Sequence, residues 1–216
     1  MHFVARFLLS ATSPDQFPSA ARTFDAPEVA FLGRSNVGKS SLINTLLGSQ
    51  EAKVSSTPGR TRAINFFALH RITGKRSGSV ADSGEPNLAA RPSLIFADLP
   101  GYGYAKISKS ISAEWPSFIE PYLGERQQLA LCLCLVDTNI PPQPSDSLLI
   151  NALRAMQRPH LVLGTKSDRL SRNQLAKSCS ALCKAHQVDR VLAVSSKSPA
   201  GVKALWPEIL SVIQES

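Results

Sequence analysis

Two glycines, a lysine and a serine stand at a spacing that could do chemistry on a polyphosphate. Gly33-Arg34-Ser35-Asn36-Val37-Gly38-Lys39-Ser40 fits G-x-x-x-x-G-K-[ST]. In this pattern the glycines let the backbone wrap closely, so that successive N–H groups face phosphate oxygens, and the helix that follows adds its partial positive charge. Lys39 would reach the β and γ phosphates, and Ser40 would lend its hydroxyl to Mg2+, a hard ion that keeps several waters and shares phosphate oxygens. The bland alternative is a chance Gly-rich turn. Against it, a strand-like run from Glu28 to Leu32 precedes the motif, and a helical pattern from Lys39 to Leu47, ended by Gly48, follows it.

A phosphate cradle leaves ATPases, small-molecule kinases and GTPases open, so residues that hold metal or read a base must decide. Asp98-Leu99-Pro100-Gly101 has the D-x-x-G form, in which Asp98 could hold the Mg2+ shell through water and the Gly101 amide could face the γ-phosphate. Alone it is a weak motif. Thr165-Lys166-Ser167-Asp168 ends the apolar run His160 to Gly164 and has the T-K-x-D form of a guanine reader. Guanine presents two adjacent donors, N1–H and the exocyclic amine, which the Asp168 carboxylate can accept together. Adenine lacks that edge and would leave a desolvated carboxylate unpaired. The stem of Lys166 would cover the base plane, and after Val194 a backbone amide of Ser195-Ser196 could reach the guanine oxygen. The competing role for Asp168 is a helix cap ahead of Ser171.

Carrying these residues, the chain resembles the EngB/YsxC family of bacterial ribosome-assembly GTPases, in the TRAFAC class of G domains, from about Phe3 to Ile213. The most specific stretches are Gly33 to Ser41, Thr57-Pro58-Gly59-Arg60-Thr61, Asp98-Leu99-Pro100-Gly101-Tyr102-Gly103-Tyr104-Ala105 and Thr165-Lys166-Ser167-Asp168. The resemblance assigns switch I, with Thr61 completing Mg2+ coordination in the GTP state and Gly59, Arg60, Arg62 and Ala63 near the nucleotide. It makes Lys39, Thr61 and Gly101 the catalytic set, and Ser40, Thr61 and Asp98 the metal set. It further implies GTP and GDP as ligands, the large ribosomal subunit or its precursor as partner, and a link to cell division and septation. Ras-like enzymes place a water-orienting Gln where this chain has Tyr102, so slow intrinsic turnover is expected. Asn36 stands where related potassium-activated GTPases bind a monovalent cation, which makes K+ a further candidate. Two departures from the family pattern are the stretch from Arg71 to Pro92 and Asp137-Thr138-Asn139 in place of Asp-x-Arg; neither is expected to touch the nucleotide motifs.

The elements that must position these residues alternate along the chain. Strand-like runs Ala63 to Leu69, Ser93 to Ala97, Leu129 to Val136 and Val191 to Val194 join the two already placed, which predicts an α/β P-loop G domain. Its sheet would be doubly wound, mostly parallel and six-stranded, with helices on both faces. Helical patterns fall between the strands: Ile111 to Leu123, interrupted by Pro116 and Pro121; Asp146 to Gln157; Ser171, with Gln174 as a capping box, to His186; and Val202 to Ile213 despite Pro207. Residues 1–25 are expected to be an extension packing on or entering a G domain over 26–216, and 71–92 a flexible insertion, or alternatively a partner-binding loop.

At 216 residues one domain with one site is expected. There is no apolar run long enough to cross a bilayer, and the short patch Phe7-Leu8-Leu9 lacks a convincing cleavage site, so a monomer in the cytoplasm, bound neither to membrane nor to DNA, is expected. Cys132, Cys134, Cys179 and Cys183 lack the flanking ligands of a zinc site and read as reduced, packed thiols. A net charge of +8 favours a polyanionic partner, and Arg60, Arg62, Lys106 and Lys109 beside the two switches could meet ribosomal RNA; an ordinary solvated face is the alternative. Two functions stay open: a GTPase whose cycle drives its release from an assembling ribosome, and a GTP-sensing RNA-binding module for which hydrolysis is incidental.

Overall fold

The computed structural model describes residues 3–48, 63–72, 91–102, 119–197 and 199–214. Its centre is a sheet built from β1 (Phe3–Ala11), β2 (Glu28–Gly33), β3 (Ile64–Arg71), β4 (Leu94–Asp98), β5 (Leu129–Asp137), β6 (His160–Thr165) and β7 (Val191–Ala193), in the order β1-β3-β4-β2-β5-β6-β7. From β4 to β7 neighbouring strands are parallel, while β3 runs antiparallel to both β4 and β1.

Among the described residues the sheet therefore has seven strands where six were expected. The additional one is β1, registered on β3 from Phe3 opposite Arg71 to Ala11 opposite Ile64. Exposed Arg6 and Phe7 sit in mid-strand, and the register shifts between Phe7 and Leu9. Such a bulge breaks the strict alternation by which a half-buried strand is read from sequence.

Alternation elsewhere sends side chains to two cores. On one face Ala30 and Leu32 of β2 and Cys132, Cys134 and Val136 of β5 pack beneath α3 (119–125), α4 (Pro144–Ala155) and Leu182 of α5 (Arg172–His186). On the other, Val29, Phe31, Leu133 and Leu135 meet Leu42, Ile43 and Leu46 of α2 (Lys39–Leu47) and Ile209 of α6 (Trp206–Gln214). A short helical turn, α1 (Ala20–Thr23), precedes β2. Pro207 is accommodated because α6 begins at Trp206, leaving the proline in the first turn, where no amide donor is required. Ser171 caps α5 in a capping box with Gln174, and Gly48 ends α2 in the left-handed conformation. Ile111, Trp115, Pro116 and Phe118 of the expected helical stripe, and residues 73–90 of the expected insertion, lie outside the described residues.

Among the described residues no helix is long and apolar enough to cross a membrane. Cys132 and Cys134 are free and buried, and burial pushes the Cys132 thiol up to about 12. That favours packing over reactivity.

Candidate functional site

The candidate site is assembled where parallel strands end. Gly33 closes β2, and the chain then turns through Asn36 at φ 64° and Gly38 at φ 102° into the first turn of α2. The left-handed region disfavours a side chain at Gly38, and a Cβ on Gly33 would come 2.8 Å from Val37 Cγ1. The glycines of the motif thus have separate physical reasons. Arg34, Ser35, Ser40 and Ser41 are partly exposed along this loop and Val37 is buried beneath it.

Lys39 is buried and its ammonium is ion-paired with Asp98 at the end of β4. This pair brings together a cation suited to phosphate oxygens and a carboxylate suited to a hydrated divalent ion. Leu99, Pro100 and Gly101 continue from β4, with the Leu99 amide donating to Phe31 O at 3.2 Å. Gly101 lies against the loop so closely that a Cβ there would be 3.0 Å from both N and Oγ of Ser35.

Tyr102 is bridged to Arg34, with the Ser35 amide donating to Tyr102 O at 3.0 Å and the Tyr102 amide to Gly33 O at 3.4 Å. Its phenol donates to Asp146 Oδ1 at 3.0 Å, and Arg34 Nε reaches the same oxygen at 3.2 Å. Burial, and then the Asp146 charge, push the Tyr102 phenol far up, so it acts as a donor. Burial likewise raises the Asp146 carboxyl, against the lowering effect of Arg34.

The T-K-x-D segment is bolted to the P-loop rather than merely near it. Thr165 Oγ1 donates to Val37 O at 2.7 Å, and Lys166, at φ 58°, extends its Nζ to Asn36 O at 2.8 Å. Ser167 and Asp168 form a tight turn whose Ser167 amide donates to Val194 O at 3.3 Å. Ser195 Oγ donates to Asp168 Oδ1 at 2.7 Å, and Lys197 Nζ lies 2.8 Å from Asp168 Oδ2. The hydrogen bond from Lys197, then that from Ser195, lowers the Asp168 pKa, which favours an ionised carboxylate able to accept hydrogen bonds. Asp168 does not cap α5; Ser171 does. The last loop is tied in turn to α2, since Thr45 Oγ1 donates to Ser196 O at 2.7 Å.

Asp137-Thr138-Asn139 requires a correction, because it does touch the nucleotide motifs. Asp137 Oδ2 accepts from Lys166 Nζ at 2.6 Å, Thr138 Oγ1 donates to Thr165 O at 2.9 Å, and Asn139 Nδ2 donates to Lys166 O at 3.2 Å. Burial pushes the Asp137 carboxyl up, but the bonds from Lys166 and Asn139 outweigh it and hold it below its ordinary value.

The structure thus brings together Gly33 to Ser41, Asp98 to Gly101, Thr165 to Asp168 and Val194 to Ser196. Ala63 precedes β3 and is partly exposed; Gly59, Arg60, Thr61, Arg62, Lys106 and Lys109 lie outside the described residues. Ser40, next to Lys39 in the chain, and Asp98, paired with Lys39, offer oxygen donors, which suit Mg2+ better than a soft metal. Sequence reasoning missed Asp137, Asp146 and Lys197, whose partners lie 29, 112 and 29 residues away, except that Lys197 directly follows Ser195-Ser196.

Comparison with known proteins adds lineage to this geometry. The family described as "50S ribosome-binding GTPase" matches residues 28–166. A protein of Acidobacterium capsulatum named "Probable GTP-binding protein EngB" is 56% identical over 100% of this chain and 94% of its own length. One of the same name from Koribacter versatilis is 51% identical over 97% and 94%. Among solved structures, a probable GTP-binding protein engB superposes with a TM-score of 0.62 at 21% identity, covering 88% of this chain and 99% of its own. Era in complex with MgGDPNP and a fragment of 16S ribosomal RNA gives 0.62 at 22% identity, over 88% and 56%, a likeness of fold. With the phosphate-loop and T-K-x-D patterns agreeing with relatives matched over nearly their whole length, this chain belongs to the EngB GTP-binding proteins, P-loop GTPases within the 50S ribosome-binding GTPase family.

Proposed function

We propose that the chain is a GTP-operated switch in assembly of the large ribosomal subunit, working as a cytoplasmic monomer with slow Mg2+-dependent hydrolysis. A link to cell division and septation rests on family resemblance. The observation that carries the nucleotide half is the bond between Thr165 Oγ1 and Val37 O, which fixes the base reader to the phosphate cradle. The ribosomal half draws support from the family description and the net charge of +8, which suits an rRNA partner reached through a basic face.

In this reading the P-loop amides and Lys39 hold the β and γ phosphates while Asp168 takes the guanine edge, with Lys166 across the base and the loop after Val194 beside its oxygen. Ser40 and Asp98, the latter through water, together with Thr61, would hold Mg2+, which supplies charge neutralisation on the phosphates. Thr61, among Gly59, Arg60, Arg62 and Ala63, belongs to a switch released when the γ-phosphate leaves. The Gly101 amide faces that phosphate.

Hydrolysis is slow because the residue after Gly101 has its phenol bonded to Asp146 and cannot orient water. K+ held near Asn36, or the ribosome, supplies the missing stabilisation. The experiment is GTP turnover in K+ and in Na+, with and without large subunits. Rates should be lowest in Na+ alone and rise with K+ and with subunits; equal rates in all four conditions would overturn the proposal. The same Tyr102 bond favours a second reading, an RNA-binding module that senses GTP without needing to cleave it. Release from the subunit at an unchanged rate with a non-hydrolysable analogue would favour that one.

A further inference from the structure

Three parts of the chain, far apart in sequence, meet at one carboxylate oxygen that the nucleotide chemistry above does not use. Asp146, in the first turn of α4, is 2% exposed, and its Oδ1 receives both Arg34 Nε at 3.2 Å and the Tyr102 phenol at 3.0 Å. Arg34 belongs to the phosphate loop, and Tyr102 follows Gly101 directly. The backbones of the same two residues are bridged, so main chain and side chains close one ring beside Gly101.

A buried carboxylate is costly unless paired, and losing either partner leaves charge or donor unsatisfied. The three groups therefore hold one another in a single arrangement. Fixing the Tyr102 ring also fixes the peptide that joins it to Gly101, and there is no slack on the other side, because a Cβ on Gly101 would sit 3.0 Å from Ser35 N. The Gly101 amide lies one peptide earlier, in the Pro100–Gly101 plane, and its direction toward a γ-phosphate is set by Gly101 being held between the fixed Tyr102 peptide and the phosphate loop; GDP makes no such bond.

We infer that Asp146 is a positioning residue for γ-phosphate recognition: from α4, through Tyr102 and Arg34, it holds the Gly101 amide in register with the phosphate loop and so sets the preference for GTP over GDP. The inference rests on the proposed role of Gly101. It does not depend on the ribosome or on K+.

The test compares Asp146→Asn and Tyr102→Phe with the wild type by fluorescence titration of GDP and of a non-hydrolysable GTP analogue with Mg2+. Each variant should bind GDP within about 2-fold of wild type and the analogue about tenfold more weakly, the scale of one charge-assisted hydrogen bond. The double variant should be no weaker than the weaker single, because Asp146→Asn removes the charge from the link that Tyr102→Phe cuts, so both act on one link. Tyr102→Phe removes one oxygen without changing ring packing, so it carries the test even where Asp146→Asn folds poorly. Equal weakening of both nucleotides, no change in either, or additive losses in the double variant would overturn the inference. Wild-type protein that binds neither nucleotide would instead overturn the reading of the phosphate loop beneath it.

Discussion

At the scale of single residues, the proposed choice of base rests on Asp168. Its two oxygens are already placed by Ser195 and Lys197, and its turn is fixed by Ser167 on Val194 O. Replacing it with Asn keeps the shape and exchanges one acceptor for a donor. Asp168→Asn should therefore weaken GTP by roughly 100-fold, since one charge-assisted bond at about 1.5–3 kcal/mol is replaced by two donors facing each other and the other bond loses its charge. The same change should favour xanthosine triphosphate, whose 2-oxo group accepts where guanine's amine donates. Competition titration of the two nucleotides checks both signs, and unchanged GTP affinity would return Asp168 to a structural part. Asp168, Lys39 and Gly33 were legible in the sequence because each stands in a short pattern with its own chemistry. Asp146 was read only as the start of a helix: its inferred role lies in partners on two distant loops, Arg34 and Tyr102, and no local spacing encodes that.

At the scale of elements, the joints between strands and helices carry charges that burial makes costly. Glu28 at the head of β2 is fully buried, accepting from the Tyr122 hydroxyl at 2.9 Å and from Arg126 Nη2 at 2.5 Å, which ties β2 to α3 and the residues just after it. Glu28→Ala should cost about 3 kcal/mol in denaturant unfolding, because the buried Tyr122 hydroxyl and the part-buried Arg126 guanidinium would lose their carboxylate. Glu208→Ala, which cuts the more exposed pair with Arg190, should cost about 1 kcal/mol or less. The contact between α4 and α5 adds a pH dependence. Burial lowers the His186 pKa, with Asp146 opposing, and His186 Nδ1 shares a 2.8 Å bond with Ser147. A depressed histidine means that the unfolded chain takes up the proton first, so stability falls as pH drops through about 6.5 toward the folded value. His186→Gln should flatten the loss of melting temperature between about pH 7.5 and 6; an unchanged slope would remove His186 as its source. Most element ends were readable from caps, such as Ser171 with Gln174 and Gly48, whose physics is local. β1 was not, because its bulge and exposed Phe7 hide its period and only β3 gives it a partner.

At the scale of the whole molecule, a nucleotide in this site would brace the ends of β2, β4, β6 and β7 through loops that already touch one another. Those strands span the parallel part of the sheet, while β1 lies on the far edge, paired only with β3. The two ends should respond separately. A ligand that binds only the folded state adds about 2.7 kcal/mol at 100 times its Kd. For a chain of this size that raises the melting temperature by about 5–10 °C. GDP with Mg2+ should give that shift, and ATP at the same concentration should not. Removing residues 1–11 should lower the starting melting temperature, since it strips Phe7 from Phe67, Phe3 from its stack on Trp206 at 5.5 Å, and the hydrogen bonds from the outer edge of β3. The GDP shift in the shortened protein should keep its size, because in the sheet β1 pairs with β3 and not with β2, β4, β6 or β7. A shortened protein that melts lower and also loses the shift would mean that β1 supports the site across the sheet, and that stability and nucleotide binding are a single cooperative property of the fold.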